Sequence, residues 1–372
     1  QGCAFVPHSM TEEEIARLVG VPTATAVNSG RRAMTLILGH LDVGEGDEVV
    51  VPAYTLKDLI PLIQGLGAQA VPADVDPGTM NLDPGAVAGR ISLRTKAILV
   101  LHTFGSPCDV HALGALARER GIPIVEDCAH SLGASVAGRQ TGSFGHAGFF
   151  SFETTKPLNT LGGGMVVSAD AGLHDAVRRD TAADVPLHRP LLSKAASVQL
   201  EQWMMTSGLS WPLLALLATP SAKRSVEALY RRFQHAAAVD ARYMPAQAGM
   251  GLRRLPGLED RIRDRNRAAA LYRWALDPRA PPQRISRDAV STMYFLVARV
   301  PGDATAVRRR LLARGIDAGA GDEIADDVAD LLGFGDCPGA AELTRSALVL
   351  PLWDGIGGRT IRRVAGALNR AI

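Results

Sequence analysis

Cysteine is scarce in this chain: Cys3, Cys108, Cys128 and Cys337 are the four among 372 residues. None belongs to a C-x-x-C pair, so neither a zinc ribbon nor a dithiol redox motif is expected, and no metal site is indicated. Thiols this sparse suit a reducing compartment. Charge of one sign is also lacking. Lys+Arg number 40 against Asp+Glu 38, a net of +2, which gives no bulk charge for holding nucleic acid. The densest basic cluster, Arg261-Ile262-Arg263-Asp264-Arg265, reads as a solvated helix face laced with carboxylates. A long apolar run is the third absence. None reaches the roughly 18 residues of a membrane span. The nearest, Gly208 to Ala218, is short and interrupted by Pro212. It reads as a core or subunit-interface helix, the alternative being a surface that touches lipid or a hydrophobic substrate tail. Nothing near Gln1 resembles a signal peptide, so a cytoplasmic protein is expected.

What is present is an ordinary globular composition, 47% apolar, on a chain long enough for two domains. Thr11 and Glu14 stand at capping-box spacing and predict a helix running to about Val19. Ala24–Val27 predicts a short strand, broken by Asn28-Ser29-Gly30, with a helix from about Arg31 to Leu41. A strand, a glycine turn and a helix in that order make an anion site, because first-turn amides and the helix dipole both favour a phosphate. Strands follow at Val49–Val51, Ala68–Ala73 and Ala97–Leu101, and helices at Leu59–Leu66 and Val110–Arg120. This alternation argues for a largely parallel sheet. The helix Leu258–Leu276, a strand Thr292–Ala298, a helix Ala304–Arg314, a strand at Leu348–Leu352 and a helix Arg359–Ala371 predict a smaller α+β unit. Between the two, residues 182–239 lose the strand rhythm and read as helical. The expected division is a large unit over 1–250 and a small one over 251–372.

The richest stretch runs from Gly121 to Val167. An apolar run, Ile122–Val125, ends on Glu126-Asp127, and open α/β sheets place ligands at the carboxyl ends of their strands. A second run, Ala147–Phe152, leads to Lys156. A third, Met165–Ser168, follows Gly162-Gly163-Gly164. One carboxylate and one lysine thus fall at the ends of neighbouring strands. A lysine amine forms a Schiff base with a carbonyl, and pyridoxal phosphate (PLP) needs an acid beside its ring nitrogen.

Glu126-Asp127-x-Ala129-His130-Ser131, the Phe150-Ser151-Phe152 run before Lys156, and the triple glycine resemble the DegT/StrS family of PLP-dependent sugar aminotransferases. The resemblance extends from near Leu18 to the C-terminus, with a poor match from about Pro186 to Val239. It implies a three-layer fold-type-I large domain with a mostly parallel sheet, plus a small α+β C-terminal domain. It also implies a homodimer with shared active sites. Lys156 would bond the cofactor, Asp127 would face its ring nitrogen and His130 its ring hydroxyl. Ser151 and the turn at Gly30-Arg31 would take its phosphate, and the three glycines would let backbone pass close to it. The implied reaction moves an amino group from an amino acid, glutamate or glutamine, to a keto-sugar, nucleotide-linked, or a keto-cyclitol.

Several positions depart from the family pattern. Arg31 replaces a threonine, and Leu56 replaces the aromatic that stacks on the ring. Tyr54 either compensates for Leu56 or packs beneath its loop. Gly162 replaces a common glutamate, Asp240 replaces an asparagine that reaches the partner's phosphate, and a His-Tyr pair is absent at Gly321-Asp322. Arg242 and Gln247 do match. These departures keep open another PLP reaction, elimination or cyclisation, on the same scaffold. They also keep open a non-catalytic protein that uses the Trp203–Leu217 region to bind a partner.

Overall fold

The computed structural model describes residues 8–185 and 242–372, with 191, 194–196, 198, 199 and 203 between them. The expectations for Gly208–Ala218, for Asp240 and for most of 182–239 lie outside the described residues.

The first unit is built on seven strands: β1 (Thr23–Val27), β2 (Glu48–Pro52), β3 (Gln69–Ala73), β4 (Thr95–Leu101), β5 (Ile124–Asp127), β6 (Ala147–Ser151) and β7 (Gly164–Ser168). They lie in the order β1-β7-β6-β5-β4-β2-β3. The pairs from β6 to β3 are parallel. Only β7 runs against its two neighbours, β1 and β6. The expected, mostly parallel sheet is therefore observed.

Among the described residues, the α-helices of five or more residues are α1 (His8–Val19), α2 (Gly30–His40), α3 (Ile60–Gln64), α4 (Pro84–Arg90), α5 (Val110–Arg120), α6 (Ala171–Asp180), α7 (Pro245–Arg254), α8 (Leu258–Ala275), α9 (Ala304–Leu312), α10 (Pro338–Ser346) and α11 (Gly358–Asn369). Strand pleating divides them between the two faces. Val49 and Val51 of β2 join one core with Met34 and Ile37 of α2 and Leu173 of α6. Val50, between them, joins another with Val87 of α4 and Leu113 of α5. Helices thus cover both faces, giving three layers. Local chemistry sets the helix ends. Asp109 accepts the Ala112 amide at 2.9 Å to start α5, and Gly121 ends it at φ 65°.

A second core gathers α8, α9 and α11 on the antiparallel sheet of β8 (Leu296–Arg299), β10 (Ala347–Leu350) and β9 (Gly319–Ala320), in that order.

Two boundaries differ from expectation. Thr11 is not a cap but lies inside α1, where its hydroxyl donates to the Ala248 carbonyl of α7 at 3.2 Å. The strand expected over Thr292–Ala298 begins only at Leu296. Met293 has a left-handed φ of 50°, and the amides of Thr292 and Tyr294 donate to the carbonyls of Gly105 and Phe104. Residues 292–295 are therefore tied to a loop of the first unit.

Candidate active site

Asp127 ends β5 and pairs in register with Phe149 of β6, two residues before Ser151. It is buried, and among the described residues its side chain has one hydrogen bond, from the Ala129 amide to Oδ1 at 2.9 Å. Burial pushes this carboxyl above the usual range, against the pull of the Ala129 amide, Lys156 and His102. Beside it, Glu126 points the other way. It accepts the amides of Gly142 (2.8 Å), Phe144 and Gly145 (2.6 Å each), and meets His102 Nε2 at 3.0 Å. His102 Nδ1 accepts the Cys108 amide, so the proton sits on Nε2 and is donated to Glu126. Of the two acids ending β5, one is consumed by structure and the other is left for chemistry.

Lys156 lies in the turn after β6, its Nζ 5.0 Å from the centre of the Tyr294 ring. His130 stacks on the same ring, its imidazole 4.1 Å from Tyr294 and 12° from parallel. His130 Nδ1 is buried without a hydrogen-bond partner among the described residues. Burial, with the Lys156 charge nearby, holds this imidazole well below its ordinary pKa. It is therefore neutral and has an unused polar atom. The Tyr294 hydroxyl bonds Thr155 Oγ1 at 2.9 Å. Thr292 Oγ1 donates to the His130 carbonyl at 2.6 Å. Tyr294 and Thr292 were not singled out from sequence, because they sit in a run whose composition reads as plain strand.

The turn before α2 completes the arrangement. Ser29 caps the helix by accepting the Arg32 amide at 3.2 Å, and the earlier first-turn amides have no carbonyl within the helix. A Cβ on Gly30 would come 3.0 Å from Ser151 Cβ, so Gly30 and Ser151 are neighbours. The Arg31 side chain turns to Asp58 at 3.7 Å, both more than half exposed. The triple glycine admits a close approach within the protein itself. A Cβ on Gly163 would strike the Tyr243 ring at 2.4 Å, and one on Gly164 would strike the Ser29 carbonyl carbon at 2.6 Å. The close approach is to the protein's own turn. Gln247 supports the same loop by donating to the Gly162 carbonyl at 3.0 Å. Arg242 instead donates to the Ala182 carbonyl at 2.9 Å.

Tyr54 is fully buried and meets Phe104 edge-on at 6.3 Å, so it packs beneath its loop and does not stand in for an aromatic at Leu56. Leu56 itself is 46% exposed.

A cavity of about 330 Å³ opens beside Lys156 and Tyr294, lined also by Arg254, Arg261, Arg265 and Asp354. This corrects the reading of the Arg261–Arg265 cluster as a solvated face. Arg263 does point outward to Asp260, but Arg261 and Arg265 point into the cavity. Only the i, i+4 spacing hinted at that split.

The residues present fit PLP. A buried acid with a free oxygen suits a ring nitrogen, an orphaned neutral imidazole suits a ring oxygen, and the Gly30–Ser151 cradle suits a phosphate. Fold and donor set define the class, an aminotransferase fold of type I. The chain belongs to the DegT/DnrJ/EryC1/StrS aminotransferase family, whose model matches residues 8–369. It is similar to a UDP-N-acetyl-3-dehydro-alpha-D-glucosamine 3-aminotransferase of Acidithiobacillus ferrooxidans, 40% identical over 168 residues, which are 45% of this chain and 46% of that one. It is also similar to an L-glutamine:2-deoxy-scyllo-inosose aminotransferase of Micromonospora echinospora, 41% identical over 153 residues, 41% of this chain and 36% of that one. These matches span less than half the length of the curated relatives. Among solved structures, the aminotransferase TlmJ of Streptoalloteichus hindustanus superposes with a TM-score of 0.78 at 26% identity, covering 98% of this chain and 90% of that one.

Proposed function

We propose that the protein is a PLP-dependent aminotransferase that carries an amino group from glutamate or glutamine to a keto-sugar or keto-cyclitol. The observation that carries this reading is the convergence of Lys156, Asp127 and His130 at the carboxyl ends of β5 and β6, next to the Gly30–Ser151 cradle. PLP, when bound, supplies the electron sink that lets an amino acid lose its α-proton. Asp127 would keep a proton on the ring nitrogen. His130 would offer its unpartnered nitrogen to the ring hydroxyl oxygen. Ser151 Oγ and the amides of Gly30 and Arg31 would hold the phosphate by position and dipole. Lys156 Nζ would hold the cofactor and, when free, would serve as the base that moves the donor's α-proton.

The relatives support both acceptor classes, since one is named for a UDP-sugar and the other for an inosose. The same reading takes residues 1–250 as the large domain and 251–372 as the small one, with a homodimer sharing its active sites and working in the cytoplasm. Among the described residues no helix is long and apolar enough to cross a membrane.

The test is spectroscopic. L-Glutamate or L-glutamine added to the purified holoenzyme without acceptor should abolish the visible cofactor band, and Lys156→Ala should not respond. A wild-type band indifferent to every amino donor would reject transamination. It would favour elimination or cyclisation, the reading to which the exposed Leu56 lends support.

A further inference from the structure

At the end of the sheet opposite Lys156, side chains from three elements meet. His40 is the last residue of α2, His146 directly precedes β6, and Asp170 caps α6. The antiparallel register of β6 and β7 sets Ala147 against Ser168, which brings His146 and Asp170 to the same end of the sheet. His40 Nε2 lies 3.1 Å from Asp170 Oδ2, and His146 Nε2 lies 3.5 Å from the same oxygen. The three atoms are all within 4.8 Å of one another. A tetrahedral zinc ion about 2.0 Å from each ligand sets its ligand atoms about 3.3 Å apart, so a small closing of the imidazoles would suffice.

The carboxylate is already oriented. Its Oδ1 accepts the amides of Gly172 at 2.8 Å and Leu173 at 3.3 Å, which leaves Oδ2 to the imidazoles. Ser168 Oγ ties the two backbones together, donating to the His146 carbonyl at 2.7 Å and accepting the Asp170 amide at 3.0 Å. Outer partners of this kind fix metal ligands in place. The His40–Asp170 contact alone would be an ordinary hydrogen bond. His146 is beyond the usual N–H···O range and still brings its Nε2 to the same oxygen. All three side chains are partly exposed, so an ion can enter and keep water as a fourth ligand. Two imidazoles and a carboxylate suit zinc better than magnesium or calcium, which take oxygen ligands.

We propose that His40, His146 and Asp170 bind one zinc ion. The 11 residues of α2 span about 16 Å, and the Gly30 turn lies at their far end. The ion therefore takes no part in chemistry at Lys156. It acts as a clamp that joins the end of α2 to the start of α6 and to β6. No motif spacing announces the trio, because its members lie far apart in the chain. A second trio, His102, Glu126 and Cys128, is equally close. It is fully buried, and His102 and Glu126 already bond each other and backbone amides. The test must therefore locate the ion.

Calorimetric titration of EDTA-treated, untagged holoenzyme with zinc should show one ion per chain, with magnesium binding far more weakly. H146Q keeps the His40–Asp170 bond and the helix cap, so it should fold as wild type does and yet bind zinc about tenfold more weakly or worse. D170N keeps a capping oxygen and should lose as much. H111Q, outside the trio, should stay within about twofold of wild type. Zinc should raise the unfolding midpoint of wild type and not of H146Q, because an ion held only by the native state adds stability. The proposal is overturned if wild type binds no zinc, if magnesium binds as tightly, or if H146Q binds zinc as tightly as wild type. An equal rise in midpoint for wild type and H146Q would also overturn it, since the ion would then sit elsewhere.

Discussion

The rings of His130 and Tyr294 lie 4.1 Å apart and 12° from parallel, bringing together two units that are far apart in the chain. Tyr294 is also bonded to Thr155 and lies below the Lys156 amine. Tyr294→Phe keeps the stack and loses one hydrogen bond, a cost of about 1 kcal/mol. Tyr294→Ala removes a nearly buried ring and should cost about 3 kcal/mol. It should also loosen Lys156 and so lower the rate of the amino-donor half-reaction. Urea unfolding and stopped-flow absorbance would check both; equal stability of the two variants would contradict the packing role.

The low pKa of His130 makes stability depend on pH. In the unfolded chain its pKa returns to about 6.5. Above that value neither state carries the proton, and the native state has its full stability. As pH falls below it, the unfolded chain takes up a proton that the buried imidazole refuses, so stability is lost. His174 is shifted the same way, chiefly by burial, and contributes in parallel. Apo His130→Gln should therefore show a smaller drop in unfolding midpoint between about pH 8 and about pH 5.5 than apo wild type. Identical profiles would place the His130 proton elsewhere.

Glu126 is a structural acid beside a chemical one. Glu126→Gln replaces one acceptor oxygen by a donor that faces amide N–H groups and the His102 proton. A loss of about 3 kcal/mol is expected, since it leaves buried donors unpaired. The cofactor band should survive at low temperature, because Asp127 is untouched. A neutral effect on denaturant midpoint would show that the loop at 142–145 is held by other means.

Gly164→Ala should act on cofactor affinity. Its Cβ would push the backbone of Ser29 and Gly30, at a cost of about 1–3 kcal/mol. Roughly tenfold weaker PLP binding, or more, should follow in a titration. Unchanged binding would mean that the Gly30 turn does not hold the phosphate.

Much of the architecture could be read directly, because strand and helix periods alternate cleanly from Thr23 to Ser168. The positions of Asp127 and the Gly30 turn were legible for the same reason: one ends a well-marked strand and the other starts a helix, while Lys156 lies in the turn beyond the next strand. Tyr294 was not. Its neighbours Thr292 and Phe295 have strand composition, and only bonds to Gly105 and Phe104, distant in sequence, hold it out of the sheet. Arg261 was hidden among outward-facing charges on the same helix, and only packing distinguishes the two sides. Tyr54 looked like a candidate for stacking on the cofactor because sequence shows ring chemistry but not depth.

Among the described residues strand β1 has one partner in the sheet, β7, and the Ser29 turn is bridged to Gly163. The phosphate cradle is thus written near the start of the chain and closed by residues beyond 160. During synthesis from the N-terminus, Thr23–Val27 has no strand to pair with until Ser168 has emerged. On the proposed reading, cofactor capture comes late in folding, as the event that seals the sheet edge. A nascent chain halted before Gly164 would carry the helix proposed to bind phosphate and yet be unable to keep PLP.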